Sequence, residues 1–247
     1  MIRKAISCMK NKSVLVTGGA KRIGRAIALH LAKNGYDIAL HYNTSEKEAK
    51  ILTLEIKNIG RKCILFQHDF LKVTNGVNLI KKVKKKFPKL SLLINNASVF
   101  NSGAFLKTDY KTLDKHFNIN LKVPFFLSLD FARLCKKGQI INMLDTNIVK
   151  RQSKYFAYTL SKKTLYEFTK MAAVELAPNI RVNAIAPGPI LPPPGKNEEY
   201  LKLAGELVPL KRKGNIKNIL QALDFFLEND YVTGQCIFVD GGKNLRR

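Results

Sequence analysis

Two residues whose types suit proton transfer, Tyr158 and Lys162, are four positions apart in a stretch with helical periodicity. Residues at this spacing lie on one face of a helix, so the ammonium could lower the pKa of the phenol and make it a proton donor near neutral pH. A third group, Asp145, lies 13 residues before the tyrosine. A tyrosine–lysine pair alone is equally typical of an ordinary amphipathic helix, so its interpretation depends on the rest of the chain.

A glycine-rich segment near the N-terminus supplies that context. Residues 17–24, Thr-Gly-Gly-Ala-Lys-Arg-Ile-Gly, follow an apolar run typical of a buried strand and precede a stretch typical of a helix. Glycines permit a tight turn and let a pyrophosphate approach the backbone, while a helix N-terminus supplies N–H donors and a positive dipole end. The order of strand, turn and helix therefore predicts a dinucleotide site. Its predicted residues are Gly18, Lys21, Arg22, Ile23 and Gly24.

The end of the second predicted strand indicates which dinucleotide binds. A site for NAD places Asp or Glu there to bind the ribose 2′-hydroxyl. This chain has no acid at that position, whereas Lys21 and Arg22 belong to the adjacent loop. Hydroxyls, an amide and cations suit a 2′-phosphate, so the sequence favours NADPH/NADP+. The predicted contacts are His41, Tyr42, Asn43, Thr44, Ser45, Asp69 (for the adenine amine) and Phe70, with Asn96, Ala97 and Ser98 after the fourth strand.

Strand-like apolar runs alternate with longer amphipathic stretches along the whole chain. This order predicts an α/β fold, a single-domain, Rossmann-type, doubly wound parallel sheet of about seven strands with helices on both faces. Residues 1–247 form one predicted domain, in which residues 1–11 are expected to be flexible and the proline-rich region 189–212 to cover the substrate. The predicted strands are 13–17, 37–42, 62–67, 90–95, 139–143, 181–185 and 235–239. The predicted helices include 23–34, which Gly35 should end, 45–60, which a capping box of Ser45 and Glu48 should open, and 153–176, the clearest of them.

The composition limits the classes of protein to consider. A chain of 247 residues that is 46% hydrophobic can bury one large core. No apolar run approaches the roughly 18 residues needed to cross a bilayer, and residues 1–12 lack the apolar centre of a signal peptide. Four scattered cysteines without metal-ligand spacing indicate free thiols, no metal site and a cytoplasmic location.

The formal net charge of +25 raises the alternative of a nucleic-acid-binding protein. The 43 basic residues are, however, spread from end to end, and 33 of them are lysines, whereas proteins that read bases rely on arginine. The densest run, residues 81–86, falls where a surface helix is expected. The sequence therefore indicates a solvated basic surface and no specific nucleic-acid partner.

Together these motifs resemble the short-chain dehydrogenase/reductase family over essentially the whole chain. Besides residues 17–24, Tyr158 and Lys162, the resemblance rests on residues 95–97, Asn120, and residues 181–183, 187–188 and 239–242. Within the family the chain is most similar to the pteridine reductases, whose signature it matches at residues 17–22, 41–42, 96–100, 142–145, 209–212 and 231–234. The resemblance implies NADPH-dependent reduction of a pterin or folate, with hydride transfer to the ring and protonation of a ring nitrogen.

The resemblance also implies a role for each catalytic residue. Tyr158 would donate the proton, Lys162 would hold the nicotinamide ribose and tune the phenol, and Asn120, beginning a helix, would position a water that returns protons. Related ketone reductases have serine at position 145, where it binds the ketone oxygen. The carboxylate of Asp145 would repel the charge that builds on such an oxygen, but it can accept pterin N–H groups or relay a proton.

Substrate contacts and assembly follow from the same resemblance. Phe100 would stack on the pterin, Ser98 would bind its amino edge, and Arg22 would bridge cofactor pyrophosphate and substrate. In the family the helix predicted at 153–176 lies in a dimer interface, so a homotetramer is expected, with Arg246 or Arg247 near the adjoining active site. Further expected cofactor contacts are Pro187, Gly188 and Ile190. The apolar positions of the same helix, together more than one core-facing stripe needs, are Leu165, Phe168, Met171, Ala172 and Leu176.

Two alternatives remain open on the sequence alone. The first is a carbonyl-reducing member of the family, such as a 3-oxoacyl-carrier-protein reductase, whose acidic partner would suit the basic surface. Asp145 argues against it. The second and more remote alternative is a reductase fold retained as a nucleic-acid-binding or scaffold protein, but such a protein has no use for Asn120, Tyr158 and Lys162 together.

Overall fold

Seven strands pair into one parallel sheet in the computed structural model, which describes residues 12–72, 78–151, 154–193 and 195–246. In chain order they are β1 (Ser13–Val16), β2 (Asp37–Tyr42), β3 (Cys63–Gln67), β4 (Leu90–Asn95), β5 (Gly138–Met143), β6 (Ile180–Pro187) and β7 (Cys236–Val239). Across the sheet the order is β3-β2-β1-β4-β5-β6-β7. The order therefore reverses between β1 and β4, and ligands of such sheets bind at the carboxyl ends of the strands beside this point. The predicted parallel α/β sheet is confirmed.

Helices cover both faces of the sheet. Successive side chains of a strand point to opposite faces, and accordingly Val14 and Leu15 belong to two different cores. The helices are α1 (Arg22–Lys33), α2 (Glu46–Asn58), α3 (Leu79–Lys86), α4 (Tyr110–Phe117), α5 (Val123–Cys135), α6 (Phe156–Glu175), α7 (Glu198–Glu206) and α8 (Ile216–Glu228). Short 3₁₀ turns occupy Phe105–Lys107, Thr146–Val149 and Lys243–Leu245, and a π-helical turn, Asn118–Lys122, joins α4 to α5.

The first helix ends at the glycine predicted to stop it. Gly35 has a left-handed φ of 89°, and its N–H donates to the carbonyl of Ala32 over 3.0 Å. The N–H of Tyr36 donates to the carbonyl of Leu31, also over 3.0 Å. These two bonds form a Schellman motif, which satisfies carbonyls that the helix end leaves unpaired and turns the chain into β2.

One predicted helix cap and one predicted helix start are wrong. α2 begins at Glu46, but the side chain of Ser45 makes no capping hydrogen bond, and Glu48 instead forms an ion pair with Lys21 (2.8 Å between Nζ and Oε1). The capping box is absent because the acid that should return to Ser45 binds the cation of the glycine turn. α6 begins at Phe156 and not at position 153, which lies outside the described residues.

The lysine-rich run forms the surface helix that was expected. Leu79, Ile80 and Val83 of α3 are buried against the core, whereas Lys81, Lys82 and the lysines of the last turn lie towards solvent. Of the helices within the four described ranges, none is long and apolar enough to span a membrane.

The region 189–212 contains a helix that the sequence analysis did not predict. The side chain of Asn197 accepts a hydrogen bond from the N–H of Tyr200 over 3.0 Å and so caps α7. Upstream, Gly188 passes so close to the end of β7 that a Cβ there would lie 2.6 Å from Cα of Asp240. This contact brings the start of the region over the carboxyl ends of β5 and β6, while Pro194 lies outside the described residues.

Candidate active site

A groove crosses the carboxyl ends of the strands and contains two cavities, of about 870 Å³ and about 200 Å³. Four residues of the turn after β1 and of the segment after β4 line both cavities, which makes the two spaces parts of one groove. These are Gly18, Lys21, Ala97 and Ser98. An elongated groove of this volume at the switch point of the sheet suits a dinucleotide with a second ring compound beside it.

Hydrogen bonds to the segment after β4 hold the glycine turn in shape. Thr17 Oγ1 accepts from the N–H groups of Asn96 (2.9 Å) and Ala97 (3.0 Å), and Asn96 Nδ2 donates to the carbonyls of Thr17 (2.9 Å) and Gly18 (3.0 Å). Gly18 has a φ of 58°, and a Cβ on Gly24 would lie 2.4 Å from the Gly18 carbonyl oxygen. A side chain at position 24 would therefore force the turn to shift, and the left-handed φ of Gly18 would strain most other residues.

The N-terminus of α1 opens from this turn and retains hydrogen-bond donors. Its N-cap residue, Lys21, makes no side-chain cap among the described residues, and the first turn contains no acid. Because the first N–H groups of a helix have no partner inside it, they are available to an anion. Arg22 adopts a left-handed φ of 56°, and its Nη2 donates to the carbonyl of Pro192 over 2.7 Å. One arginine thus connects the glycine turn to the segment above the larger cavity.

His41 accepts a hydrogen bond from the glycine turn and helps to hold its shape. The N–H of Gly18 donates to Nδ1 of His41 over 3.1 Å, and Nε2 lies 3.0 Å from the carbonyl of His68, so these partners place the ring proton on Nε2. Burial lowers the pKa of His41 to about 4, so the ring is neutral at pH 7. Phe70 stacks on it with 4.2 Å between ring centroids. His41 lines the smaller cavity, but it brings no positive charge to a 2′-phosphate.

The rim of the smaller cavity has the polar composition that was expected. Tyr42, Asn43, Thr44 and Ser45 line it, and none of them is acidic. Asp69 lies across from them, with its Oδ1 accepting from the N–H of Leu71 over 3.0 Å. Lys21 also reaches this cavity, but its ammonium pairs with Glu48. The positive charge expected for a phosphate is therefore shared with a carboxylate of α2.

Asp145, Tyr158 and Lys162 meet at the end of β5 and line the larger cavity. The hydroxyl of Tyr158 donates to Oδ2 of Asp145 over 3.0 Å, while Oδ1 of the same carboxylate accepts from the N–H of Asn147 over 2.7 Å. Nζ of Lys162 donates to the carbonyl of Met143 over 2.7 Å. The structure thus brings the three residues together, with the tyrosine and the lysine supplied by one face of α6, as predicted.

The electrostatics of these three residues differ from the prediction. Burial raises the pKa of Tyr158 well above its usual value, and the adjacent Asp145 carboxylate raises it further. Burial also lowers the pKa of Lys162 to about 8, against the opposing effect of Asp145. The net shift of the Tyr158 pKa is therefore upward, opposite to the lowering expected from Lys162, and its causes are burial and the Asp145 carboxylate. The phenol remains protonated near neutral pH.

Asn120 is wholly buried in the π-helical turn, and not at the start of a regular helix as expected. Its Oδ1 accepts from Ser98 Oγ (3.0 Å) and from the N–H of Val99 (2.9 Å), and its Nδ2 donates to Ser161 Oγ (3.1 Å). The side chain therefore ties the segment after β4 to α6. The role of Asn120 in positioning a water stays a prediction. Because its side-chain amide already has protein partners, its main-chain atoms would bind that water.

An aromatic cluster forms one wall of the larger cavity. Phe100 makes an edge contact with Tyr158 at 4.7 Å, and Tyr155 stacks on Phe100 at 4.6 Å with 21° between the ring planes. Tyr155 was not among the predicted site residues, although its position about one helical turn before Tyr158 could have indicated it. With one face of Phe100 covered, a stacked ligand would use the other face.

Other lining residues divide into those predicted and those missed. Ile23, Pro187, Gly188 and Ile190 line the larger cavity as predicted. The residues that no motif indicated include Tyr200, Leu201 and Ala204 of α7, and Thr146, Asn147, Arg151, Lys154 and Lys243 of segments without a motif. Arg246 donates from Nη1 to the carbonyl of Leu207 in its own chain, and Arg247 lies outside the described residues, so their approach to an adjoining site stays a prediction.

Comparisons with known proteins agree with this geometry. A family model described as enoyl-(acyl carrier protein) reductase matches residues 18–244. FolM alternative dihydrofolate reductase 1 from Brucella suis, solved in complex with NADP, superposes with a TM-score of 0.91 at 36% identity and covers 96% of each chain. Dihydromonapterin reductase of Citrobacter koseri is 31% identical over 94% of this chain and 97% of its own length.

A third relative reduces a different kind of substrate according to its name. The 3-oxoacyl-[acyl-carrier-protein] reductase FabG of Staphylococcus epidermidis is 33% identical over 94% of this chain and 98% of its own length. The two folate- and pterin-reducing relatives support the subfamily predicted from the sequence. Because the matches span nearly the whole chain, including the glycine turn, Tyr158 and Lys162, the protein is an oxidoreductase that belongs to the short-chain dehydrogenase/reductase family.

Proposed function

We propose that this protein uses NADPH to reduce a dihydropterin to the tetrahydro form, and that it accepts oxidised pterin and dihydrofolate as related substrates. The observation that carries the proposal is the hydrogen bond from Tyr158 to Asp145 (3.0 Å) on the wall of a cavity that Phe100 also lines. An acid, a carboxylate and an aromatic face within one cavity match the N–H groups and the flat ring of a pterin. The folate- and pterin-reducing relatives support the same substrate class.

The groove has residues suited to each part of the cofactor, which when bound supplies the hydride. The glycine turn and the first N–H groups of α1 would hold the pyrophosphate, because the turn leaves no room for side chains and the helix end is uncapped. Lys21 and the polar residues after β2 would hold the 2′-phosphate, Asp69 the adenine amine and Lys162 the nicotinamide ribose. The Brucella neighbour, which was solved with NADP, supports this assignment.

Tyr158 holds the proton that a ring nitrogen must receive. Its raised pKa keeps the phenol protonated, so the hydrogen is present when the substrate arrives. Once the proton has left, the phenolate would face the carboxylate of Asp145, and like charges at this distance repel strongly in a buried site. Lys162 lies one helical turn away and supplies the compensating positive charge. The ammonium thus stabilises the product state of proton transfer rather than preparing the free phenol.

Asp145 favours pterins over ketones. Reduction of a ketone builds negative charge on the carbonyl oxygen, and a carboxylate beside the proton donor would repel that charge. A pterin instead presents N–H donors, which a carboxylate can accept. The lone pairs of Ser98 Oγ remain available to the pterin amino group, because this hydroxyl gives its own hydrogen to Asn120.

A 3-oxoacyl thioester reductase is the second candidate. The Staphylococcus epidermidis relative and the net charge of +25, which would attract an acidic carrier protein, favour it. Asp145 opposes it for the reason just given.

NADPH oxidation measured with dihydrobiopterin, dihydrofolate and an acetoacetyl thioester distinguishes the two candidates. We expect turnover with the dihydropterin and little with the thioester. The Tyr158→Phe variant serves as the control, since a rate that survives in it does not belong to this site. Faster reduction of the thioester than of every pterin would overturn the proposal.

A homotetramer is the assembly that the surface of α6 supports. Leu165 is fully buried in the core, whereas Met171 and Val174 are 71% and 81% exposed. Phe125 and Phe126 of α5, each more than 40% exposed, extend the apolar surface next to α6 through the contact of Phe125 with Phe168 (5.1 Å). Exposed apolar side chains on two neighbouring helices fit an interface with a second copy. Light scattering should give four times the monomer mass, and a monomer would exclude this assembly.

A further inference from the structure

Basic residues outnumber acidic residues on the lining of the larger cavity. Among the described residues that line it, six are basic and one, Asp145, is acidic. Three of the six have partners or roles already given. Lys21 pairs with Glu48, Arg22 donates to the Pro192 carbonyl, and Lys162 donates to the Met143 carbonyl. The other three are Arg151, Lys154 and Lys243.

Arg151 and Lys154 line the larger cavity and come shortly before the helix that contains Tyr158. Both belong to the segment between the 3₁₀ turn Thr146–Val149 and α6, and both are exposed. Lys154 directly precedes Tyr155, whose ring stacks on Phe100. The N-terminus of α6 adds the positive end of a 20-residue helix at the same place. A ring seated against Phe100 would therefore have these two cations at its outer edge.

Lys243 reaches the same cavity from the C-terminal segment. Asp240 holds that segment against the 3₁₀ turn after Asp145, because its Oδ2 accepts from Thr146 Oγ1 and from the N–H of Asn244 (2.7 Å). The same carboxylate also accepts from the N–H of Gly242 over 2.9 Å. The acid closest to Lys243 in sequence is thus mostly buried and occupied by three donors. The carboxylate of Asp240 therefore offsets only part of the positive charge of Arg151, Lys154 and Lys243.

The environment of a neighbouring lysine shows that positive potential accumulates here. Burial lowers the pKa of Lys150, and the charges of Lys243 and Arg246 lower it further, against the opposing effect of Asp240. Three cations therefore lie near one another at the end of the 3₁₀ turn. Such a site favours an anion with more than one charge over a neutral or singly charged group.

We propose that Arg151, Lys154 and Lys243 bind an anionic tail on the substrate. The inference rests on the proposed function, since the tail would be attached to the pterin ring that Phe100 and Tyr158 receive. Carboxylates of a glutamate tail and a phosphate ester share the chemistry that these cations recognise. The preferred substrate is thus a dihydropterin with a negatively charged substituent rather than one with a short neutral side chain.

Steady-state kinetics with three substrates tests the proposal. Dihydrobiopterin is neutral in its side chain, dihydrofolate has a glutamate tail, and dihydroneopterin monophosphate has a phosphate. The wild type is compared with a triple variant, Arg151→Gln, Lys154→Gln and Lys243→Gln. A matched control, Lys81→Gln, Lys82→Gln and Lys85→Gln on α3, removes the same charge from exposed positions that do not line the cavity.

The quantity to compare is the ratio of kcat/KM for each charged substrate to that for dihydrobiopterin. Exposed charge pairs each change an equilibrium by roughly 1.5- to 5-fold, so the triple variant should lower the ratio about tenfold, mainly through KM. The control should leave it unchanged. The wild-type ratio should also fall as salt is raised, because exposed charges are screened over about 10 Å at 0.1 M.

The outcomes separate this inference from the proposed function. A higher ratio for only one charged substrate supports the inference and identifies the source of the anion. If the wild type reduces dihydrobiopterin but the triple variant and the control have equal ratios, the tail site is refuted and the function stands. If the wild type reduces none of the three substrates, both proposals fail.

Discussion

The two ends of the groove are built on opposite physical principles. At the end of the groove proposed to bind adenine, called the adenine end, the side chains of Thr17, Asn96 and His41 make hydrogen bonds that hold the glycine turn in shape. The His41 ring is neutral because burial lowers its pKa. At the end proposed to bind substrate, called the substrate end, three ionisable side chains line the cavity: Asp145, Tyr158 and Lys162. Burial raises the pKa of the tyrosine and lowers the pKa of the lysine.

The difference shows that the two ends of the groove separate cofactor binding from proton transfer. A phosphate site needs backbone N–H groups in a fixed shape, so its polar side chains serve as internal supports. A proton-transfer site needs groups whose protonation can change, so its side chains face the cavity. Substitutions at one end should therefore alter cofactor binding or stability, and substitutions at the other should alter turnover.

The largest expected effect is at the substrate end. Tyr158→Phe removes the acid but keeps the ring that contacts Phe100, so kcat for a dihydropterin should fall by about 10² to 10⁴. NADPH affinity, measured by fluorescence titration, should change little. A variant that keeps most of its kcat would mean that another group donates the proton.

His41 should contribute to the loss of stability at acid pH. The pKa of His41 is 6.5 when unfolded and about 4 when folded, so the unfolded chain binds the extra proton first and stability falls as pH drops from 6.5 towards 4. At 1.36 kcal/mol per pKa unit the loss is at most roughly 3 kcal/mol. His41→Asn keeps an acceptor for the Gly18 N–H but cannot titrate, so urea unfolding should show a smaller loss between pH 7 and pH 4. An equal loss in both proteins would show that His41 is not the sensor.

Gly24→Ala should damage the cofactor turn without touching the acid–base group. The new Cβ would lie 2.4 Å from the Gly18 carbonyl oxygen and 2.5 Å from Asn96 Nδ2, so the turn must shift. Overpacking of this kind costs about 1 to 3 kcal/mol, which should appear as weaker NADPH binding in calorimetry. Gly60→Ala is a matched control, because nothing lies within 4 Å of a Cβ there, although its φ of 80° also strains the variant. Unchanged affinity in Gly24→Ala would contradict the close approach.

The smallest effect concerns the 2′-phosphate. Glu48→Gln removes the carboxylate that pairs with Lys21, so the ammonium becomes available and NADPH should bind roughly two- to fivefold more tightly. NADH, which lacks the phosphate, should gain little. Asn43→Asp should act in the opposite direction by repelling the phosphate. Equal kcat/KM for NADPH and NADH in the wild type would contradict the assignment of this rim.

Local patterns predicted the framework because each depends on neighbouring residues. The glycine turn, the stop at Gly35 and the shared face of Tyr158 and Lys162 all follow from spacing within a few positions. The sheet follows from the alternation of apolar strands and amphipathic helices, which a single chain must bury in layers.

The features that the sequence did not predict depend on distant contacts. Glu48 forms an ion pair with Lys21, 27 positions earlier, and does not form the capping box with Ser45. The pKa of Tyr158 rises because folding buries the phenol beside Asp145. The spacing of residues along the chain does not indicate how deeply a side chain is buried. Lys154 and Lys243 line one cavity only because Asp240 holds the C-terminal segment against the 3₁₀ turn.

The central claim is that Asp145, hydrogen-bonded to Tyr158, selects pterins over ketones, and a substrate comparison on two proteins tests it most directly. The ratio of kcat/KM for dihydrobiopterin to that for an acetoacetyl thioester is measured with NADPH in the wild type and in Asp145→Ser. We expect a ratio well above one in the wild type and a fall of about 10² in the variant, because the serine hydroxyl restores the ketone-binding arrangement and the carboxylate that accepts pterin N–H groups is lost. A wild type that prefers the thioester, or a ratio that the substitution leaves unchanged, would contradict it.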